Sequence, residues 1–132
     1  MGGLPPWLLA IPNIRLRCLN FEYLQAVDAY LDRILSLVAP LQYPNGPVIS
    51  LQVENEYGGF GNDKEYLRYL EHGFRMRGIH SFLFTSDGWH SSNFIDGSLP
   101  GLLPAVRRLF FLNFTKCKNS YAILCFLDKL LS

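Results

Sequence analysis

Apolar residues recur at Leu24, Val27, Leu31, Leu35 and Val38, with Tyr23, Tyr30 and Ile34 beside them. Steps of three and four keep one face of a 3.6-residue helix apolar, so the pattern predicts a helix over about 21–38. Asn20 is placed to cap its start, and Pro40 stops it. The periodicity then changes. Tyr43-Pro44-Asn45-Gly46-Pro47 has turn chemistry. After it, Val48-Ile49-Ser50-Leu51-Gln52-Val53 is β-branched and nearly unbroken in apolarity. That suits a strand covered on both faces, as in a parallel sheet. A second helical stripe, Leu67, Leu70 and Phe74, predicts a helix over about 63–77. Asp63 is its candidate cap and Gly78 its C′ residue, while Gly73 weakens it slightly. A second strand follows at about 81–85 (SFLFT).

The order helix, strand, helix, strand indicates an α/β fold with a parallel sheet. Both strands run into polar clusters, Glu54-Asn55-Glu56-Tyr57-Gly58-Gly59 after the first and Ser86-Asp87-Gly88 after the second. In a (β/α)8 barrel that is the face on which active sites are built. Residues 1–20, rich in glycine and proline, read as loop. Beyond Val106 the chain carries apolar clusters with no clear period, and nothing in the pattern places them. The expected division is therefore 1–106 and a tail, 107–132.

Composition narrows the partners. The 132 residues are 49% hydrophobic and 17% charged, which describes a globular chain. A net charge of +1 supplies no electrostatic reason for nucleic acid or an anionic membrane to bind. No apolar run approaches the roughly 20 residues of a membrane span. The start, Met1-Gly2-Gly3-Leu4-Pro5-Pro6, lacks the basic-then-apolar build of a signal peptide. The sequon Asn113-Phe114-Thr115 would matter only in a secreted form. Cys18, Cys117 and Cys125 form neither a disulfide framework nor a zinc spacing, so buried or free thiols are expected. His72, His80 and His90 share no helix face and read as surface or loop residues, with no metal implied. No cofactor is indicated.

The candidate chemistry lies in Glu54-Asn55-Glu56. Alternation along a strand would put the two carboxyls on one side. A carboxyl among aromatic and apolar neighbours holds its proton more tightly, as a general acid must. An amide between them can both donate to and accept from a ligand hydroxyl. The plainer alternative, a solvated loop edge, is the commoner fate of a lone Glu-x-Glu. For Glu54 a structural bond ranks above a catalytic role. Asp87 either lines a pocket or forms an Asp-Gly turn. Trp7 and Trp89 either stack on a ligand ring or, as the safer expectation, pack into the core.

The string Pro47-Val48-Ile49-Ser50-Leu51-Gln52-Val53-Glu54-Asn55-Glu56-Tyr57-Gly58 closely resembles the acid/base motif of glycoside hydrolase family 35, the β-galactosidases and their relatives. Gly2-Gly3-Leu4-Pro5-x-Trp7-Leu8-Leu9 is similar to the family's GGLPxWL loop. Leu16-Arg17, Phe21-Glu22, Val27-Asp28-x-Tyr30, Pro40-Leu41-Gln42-Tyr43, Asp63-x-x-Tyr66-Leu67-x-Tyr69-Leu70 and Leu83-Phe84-Thr85-Ser86-Asp87-Gly88 also fit, over roughly residues 1–106. The resemblance implies a fragment of a (β/α)8 barrel, about two strands with flanking helices, from a retaining β-galactosidase. It makes Glu56 the proton donor and general base, Asn55 a contact to the sugar, and a β-galactoside the substrate. It also implies a lysosomal, vacuolar or extracellular setting.

The chain also departs from the pattern. A (β/α)8 barrel typically takes about 250 residues. Family members carry strands before the GGLP loop and, further on, a strand with the nucleophile glutamate. Nothing similar occurs in 107–132. The last glutamate is Glu71, and only Asp87, Asp96 and Asp128 follow it. The expectation is a chain with an acid/base residue but no nucleophile, hence a truncated and inactive form as the alternative function. Two strands alone would leave both flanking edges unpaired, which predicts poor folding or aggregation.

Overall fold

The computed structural model of the protein describes residues 4–88, 90–106 and 122–125, the last four as backbone. The elements are α1 (Pro6–Leu9), α2 (Phe21–Val38), β1 (Val48–Asn55), α3 (Lys64–Met76), β2 (Phe82–Asp87), α4 (Ser91–Gly97), β3 (Leu103–Val106) and β4 (Ala122–Cys125). The strands form one parallel sheet in the order β3-β2-β1-β4.

The long helices start and stop where side-chain chemistry dictates. Asn20 Oδ1 accepts the Tyr23 N–H at the start of α2. Asp63 Oδ1 accepts the N–H groups of Glu65 and Tyr66 at the start of α3. These bonds satisfy amides that the first helical turn leaves without a backbone acceptor. Gly78, at φ 79°, ends α3. Its N–H donates to the Arg75 carbonyl, and the Ile79 N–H donates to that of Phe74. This paired closure folds the buried Ile79 back under the helix.

The predicted stripes are the core. Val27, Leu31, Leu35 and Val38 of α2 and Leu67, Leu70 and Phe74 of α3 are buried with Leu51 and Val53 of β1 and Leu83 of β2. Each such side chain contributes about 1.5–3 kcal/mol on burial. On α2, Tyr23 takes the buried place expected of Leu24, which is only partly covered. Gln42 joins the lower ends of the layers. Its amide donates to the carbonyls of Ala39 and Gly78, and its oxygen accepts the N–H groups of His80 and Ser81.

Three expectations change. Among the described residues the sheet has four strands rather than about two, so β1 and β2 are interior and β3 and β4 are the outer strands. Pattern reading missed β3 because it is four residues long and contains Pro104, which a strand tolerates only at an edge. It missed β4 because Ala122-Ile123-Leu124-Cys125 has no alternation. Trp7 is 62% exposed instead of packing inward, because α1 turns Leu8 into the core in its place. Residues 107–121 and 126–132 lie outside the described residues, as do Trp89, the sequon at Asn113 and Cys117. Cys18 is a free, partly exposed thiol, and His72, His80 and His90 are exposed. Among the described residues no helix is long and apolar enough to cross a membrane.

Candidate active site

The carboxyl end of β1 is built around a break in its pairing. Gln52 faces Phe84, but Glu54 faces Thr85, so Val53 is an extra residue in the ladder. Such a bulge re-aims the side chains around it. Val53 joins the core, and Glu54, the next residue, also turns to the helices, where the Tyr66 hydroxyl of α3 donates to it at 3.1 Å.

Glu54 is buried and fully committed. Arg17 donates to both of its oxygens, Nε to Oε1 at 2.9 Å and Nη2 to Oε2 at 2.8 Å. The Asn55 N–H adds a bond to Oε2 at 2.6 Å. Burial opposes charge on Arg17, yet the bonds and charge of Glu54 outweigh it and raise the guanidinium's pKa. Burial also pushes the Tyr66 hydroxyl well above the usual tyrosine range, so it stays a donor at any working pH. Glu54 therefore has the structural role ranked first for it.

Glu56 leaves the strand in the left-handed region, at φ 50° and ψ 33°. That conformation costs a non-glycine residue about 1–2 kcal/mol. Regular strand geometry therefore ends at Asn55, before Glu56. The bulge takes Glu54 inward, and the left-handed turn carries Glu56 to a half-buried position at the sheet's end. The Glu56 N–H donates to the Ser86 carbonyl of β2 at 2.7 Å. Asn55 is also half-buried, and its Oδ1 accepts from Gln52 Nε2 at 3.0 Å.

The short helical turn after Glu56, Tyr57–Gly59, is fixed from two sides. The Tyr57 hydroxyl donates to the Arg17 carbonyl, and Gly58 donates its N–H to Asp87 Oδ1 at 2.9 Å. A Cβ at position 58 would lie 1.7 Å from the Asn93 carbonyl oxygen of α4, so only glycine allows this approach. Lys64 holds the far end of α4 through the carbonyls of Ile95, Asp96 and Ser98. Asp87 thus closes β2 as an acceptor for the neighbouring turn, and burial raises its pKa above the usual aspartate range.

A raised folded-state pKa favours the fold at low pH, and that contribution is lost as pH rises through the folded value. Asp87→Asn keeps an acceptor and removes the buried charge. Its melting temperature, measured against wild type, is expected to gain more at pH 7 than below about pH 4, near the ordinary aspartate value. A gain independent of pH would show that the charge at 87 is not what burial penalises.

Sequence reading singled out Glu56, Asn55, Glu54 and Asp87, and the structure gathers all four where β1 and β2 end. It did not assign a role to Arg17, Tyr57, Tyr66 or Asn93. A buried arginine demands a carboxylate, but Leu16-Arg17 fits the family pattern without naming a partner, and the partner is 37 positions away. Among the described residues, no group of three or more His, Cys, Asp and Glu side chains converges as a metal ion would require.

The parallel sheet with acidic residues at the carboxyl ends of its central strands defines an α/β protein, and comparison with known proteins gives the family. The model of glycosyl hydrolases family 35 matches residues 1–118, and the chain belongs to that family. Over 107 residues, 80% of the chain, it is 46% identical to β-galactosidase-1-like protein 3 of Rattus norvegicus, covering 17% of that relative. It is 49% identical over 109 residues to β-galactosidase of Homo sapiens, covering 16% of it. With β-galactosidase 8 of Oryza sativa subsp. japonica it shares 46% identity over 102 residues, 15% of that protein. The chain thus spans about a sixth of the length of these curated relatives.

Proposed function

We propose that this chain is the acid/base portion of a (β/α)8-barrel glycosidase that hydrolyses terminal β-galactosides with retention. Glu56 protonates the departing glycosidic oxygen and then activates water, and Asn55 holds a sugar hydroxyl beside it. The observation that carries this reading is the strained placement of Glu56 at the carboxyl end of an interior parallel strand, where barrels of this kind collect their chemistry. Family membership and the names of the relatives support it.

Retention needs two carboxyls about 5–5.5 Å apart. Among the described residues the carboxyls next to Glu56 in the site are already engaged. Glu54 is locked to Arg17, and Asp87 is engaged by Gly58. That commitment favours a second reading, in which residues 1–132 by themselves bind sugar without cleaving it. The protein should be offered 4-nitrophenyl β- and α-galactosides, with release of nitrophenol and equilibrium binding both recorded. Release confined to the β-anomer supports the first reading, and β-selective binding without release supports the second. Equal response to both anomers, or to neither, sinks the assignment of the site to β-galactosides.

A further inference from the structure

We propose that Arg17 is a positioning residue for Glu56, an inference that rests on reading Glu56 as the proton donor. Among the described residues three non-glycine residues take a left-handed backbone, Asn13, Arg17 and Glu56. The last two belong to one network. The Arg17 side chain reaches both oxygens of Glu54 and, at 2.8 Å, the backbone oxygen of Asn55. Beyond Glu56, its guanidinium lies 4.5 Å from the centre of the Phe60 ring and 5.3 Å from that of Tyr57. Its own carbonyl accepts the Tyr57 hydroxyl at 3.1 Å. Arg17 therefore grips the chain at positions 54, 55, 57 and 60, on both sides of the strained residue.

Stability alone does not account for this arrangement. A buried ion pair is often no better for the fold than apolar side chains of the same volume. What the pair supplies is direction. A left-handed glutamate persists only where its surroundings over-determine it, and the planar fork of arginine is what spans three oxygens at once. Lysine, a point charge on a flexible stem, cannot reproduce that grip. Glu56 is thereby aimed before any sugar arrives, as proton transfer to a bound oxygen requires.

The test uses the isotopically labelled 132-residue protein. Glu56's φ-sensitive backbone coupling and Cα shift are recorded in wild type, Arg17→Lys, Arg17→Met, Arg17→Met/Glu54→Leu and Arg77→Met. Arg77 joins Asp28 and Asp32 on the helix layer and serves as the control for lost stability. The expected result is loss of the left-handed signature at Glu56 in every folded Arg17 variant, with the signature kept in Arg77→Met at a comparable fall in melting temperature. A folded Arg17 variant that keeps the signature overturns the inference. So does failure of all three Arg17 variants to fold while Arg77→Met folds, because Arg17 would then support the fold at large.

The probe for sugar binding is 1-deoxygalactonojirimycin, a galactose-shaped amine, titrated against the Glu56 amide signal. Wild type is expected to respond and the Arg17 variants to lose the response. If wild type does not respond, the galactoside reading falls, while the backbone signature still decides whether Arg17 governs Glu56. If an Arg17 variant loses the signature but binds the probe unchanged, Arg17 shapes the backbone without aiming the acid, and the inference fails.

Discussion

In a longer protein that carries the whole barrel, Glu56→Gln is expected to lower hydrolysis of alkyl β-galactosides by about 10²–10⁴-fold, the usual contribution of a positioned acid or base. Glutamine matches the glutamate in size and polarity, so the bulge, the left-handed turn and the bond from the Glu56 N–H to Ser86 should all survive. The proton is what is lost. Its absence matters most when the leaving oxygen is a poor one. Methyl β-galactoside should therefore slow far more than a dinitrophenyl β-galactoside, whose phenolate departs without help. Rate measurements across such a series, with unfolding followed in parallel, decide the matter. A uniform small loss across all leaving groups would mean that Glu56 binds or shapes the site without donating a proton.

Arg17→Met should destabilise the fold by about 3–5 kcal/mol, because it strands the Glu54 carboxylate at 1% exposure without its cation. Folded domains are commonly stable by only about 5–15 kcal/mol, so this single change approaches the limit of tolerance. Adding Glu54→Leu removes the stranded charge and should recover part of the loss. Recovery cannot be complete. The Tyr66 hydroxyl keeps the Tyr23 hydroxyl as a partner, but the Asn55 N–H would be left without its Glu54 acceptor at about 1–3 kcal/mol. Urea unfolding of wild type, both single variants and the double variant yields the coupling directly. If the double variant is no more stable than Arg17→Met, lost packing around the arginine outweighs the orphaned charge.

How far the sequence could be read depended on how local each signal was. Helices α2 and α3 and strands β1 and β2 were legible because their caps, stripes and apolar runs lie within one element. Strands β3 and β4 were not, since four residues carry too little pattern and their place depends on neighbours remote in sequence. The same limit applied at the site. Glu56 and Asn55 stood out through a motif, whereas Arg17 has meaning only through contacts to positions 54, 55, 57 and 60. Nothing in the string QVENEY announces the extra residue in the ladder at Val53 or the left-handed turn at Glu56.

The backbone at position 56 sets two demands against each other. A glycine there would adopt φ 50° without steric penalty and would spare the protein a local conformational cost of about 1–2 kcal/mol. It would also carry no ionisable group. Any directed-evolution campaign that selects this chain for heat resistance alone should therefore tend to erode position 56, and libraries screened that way would enrich well-folded proteins with nothing left to hand a proton to a sugar.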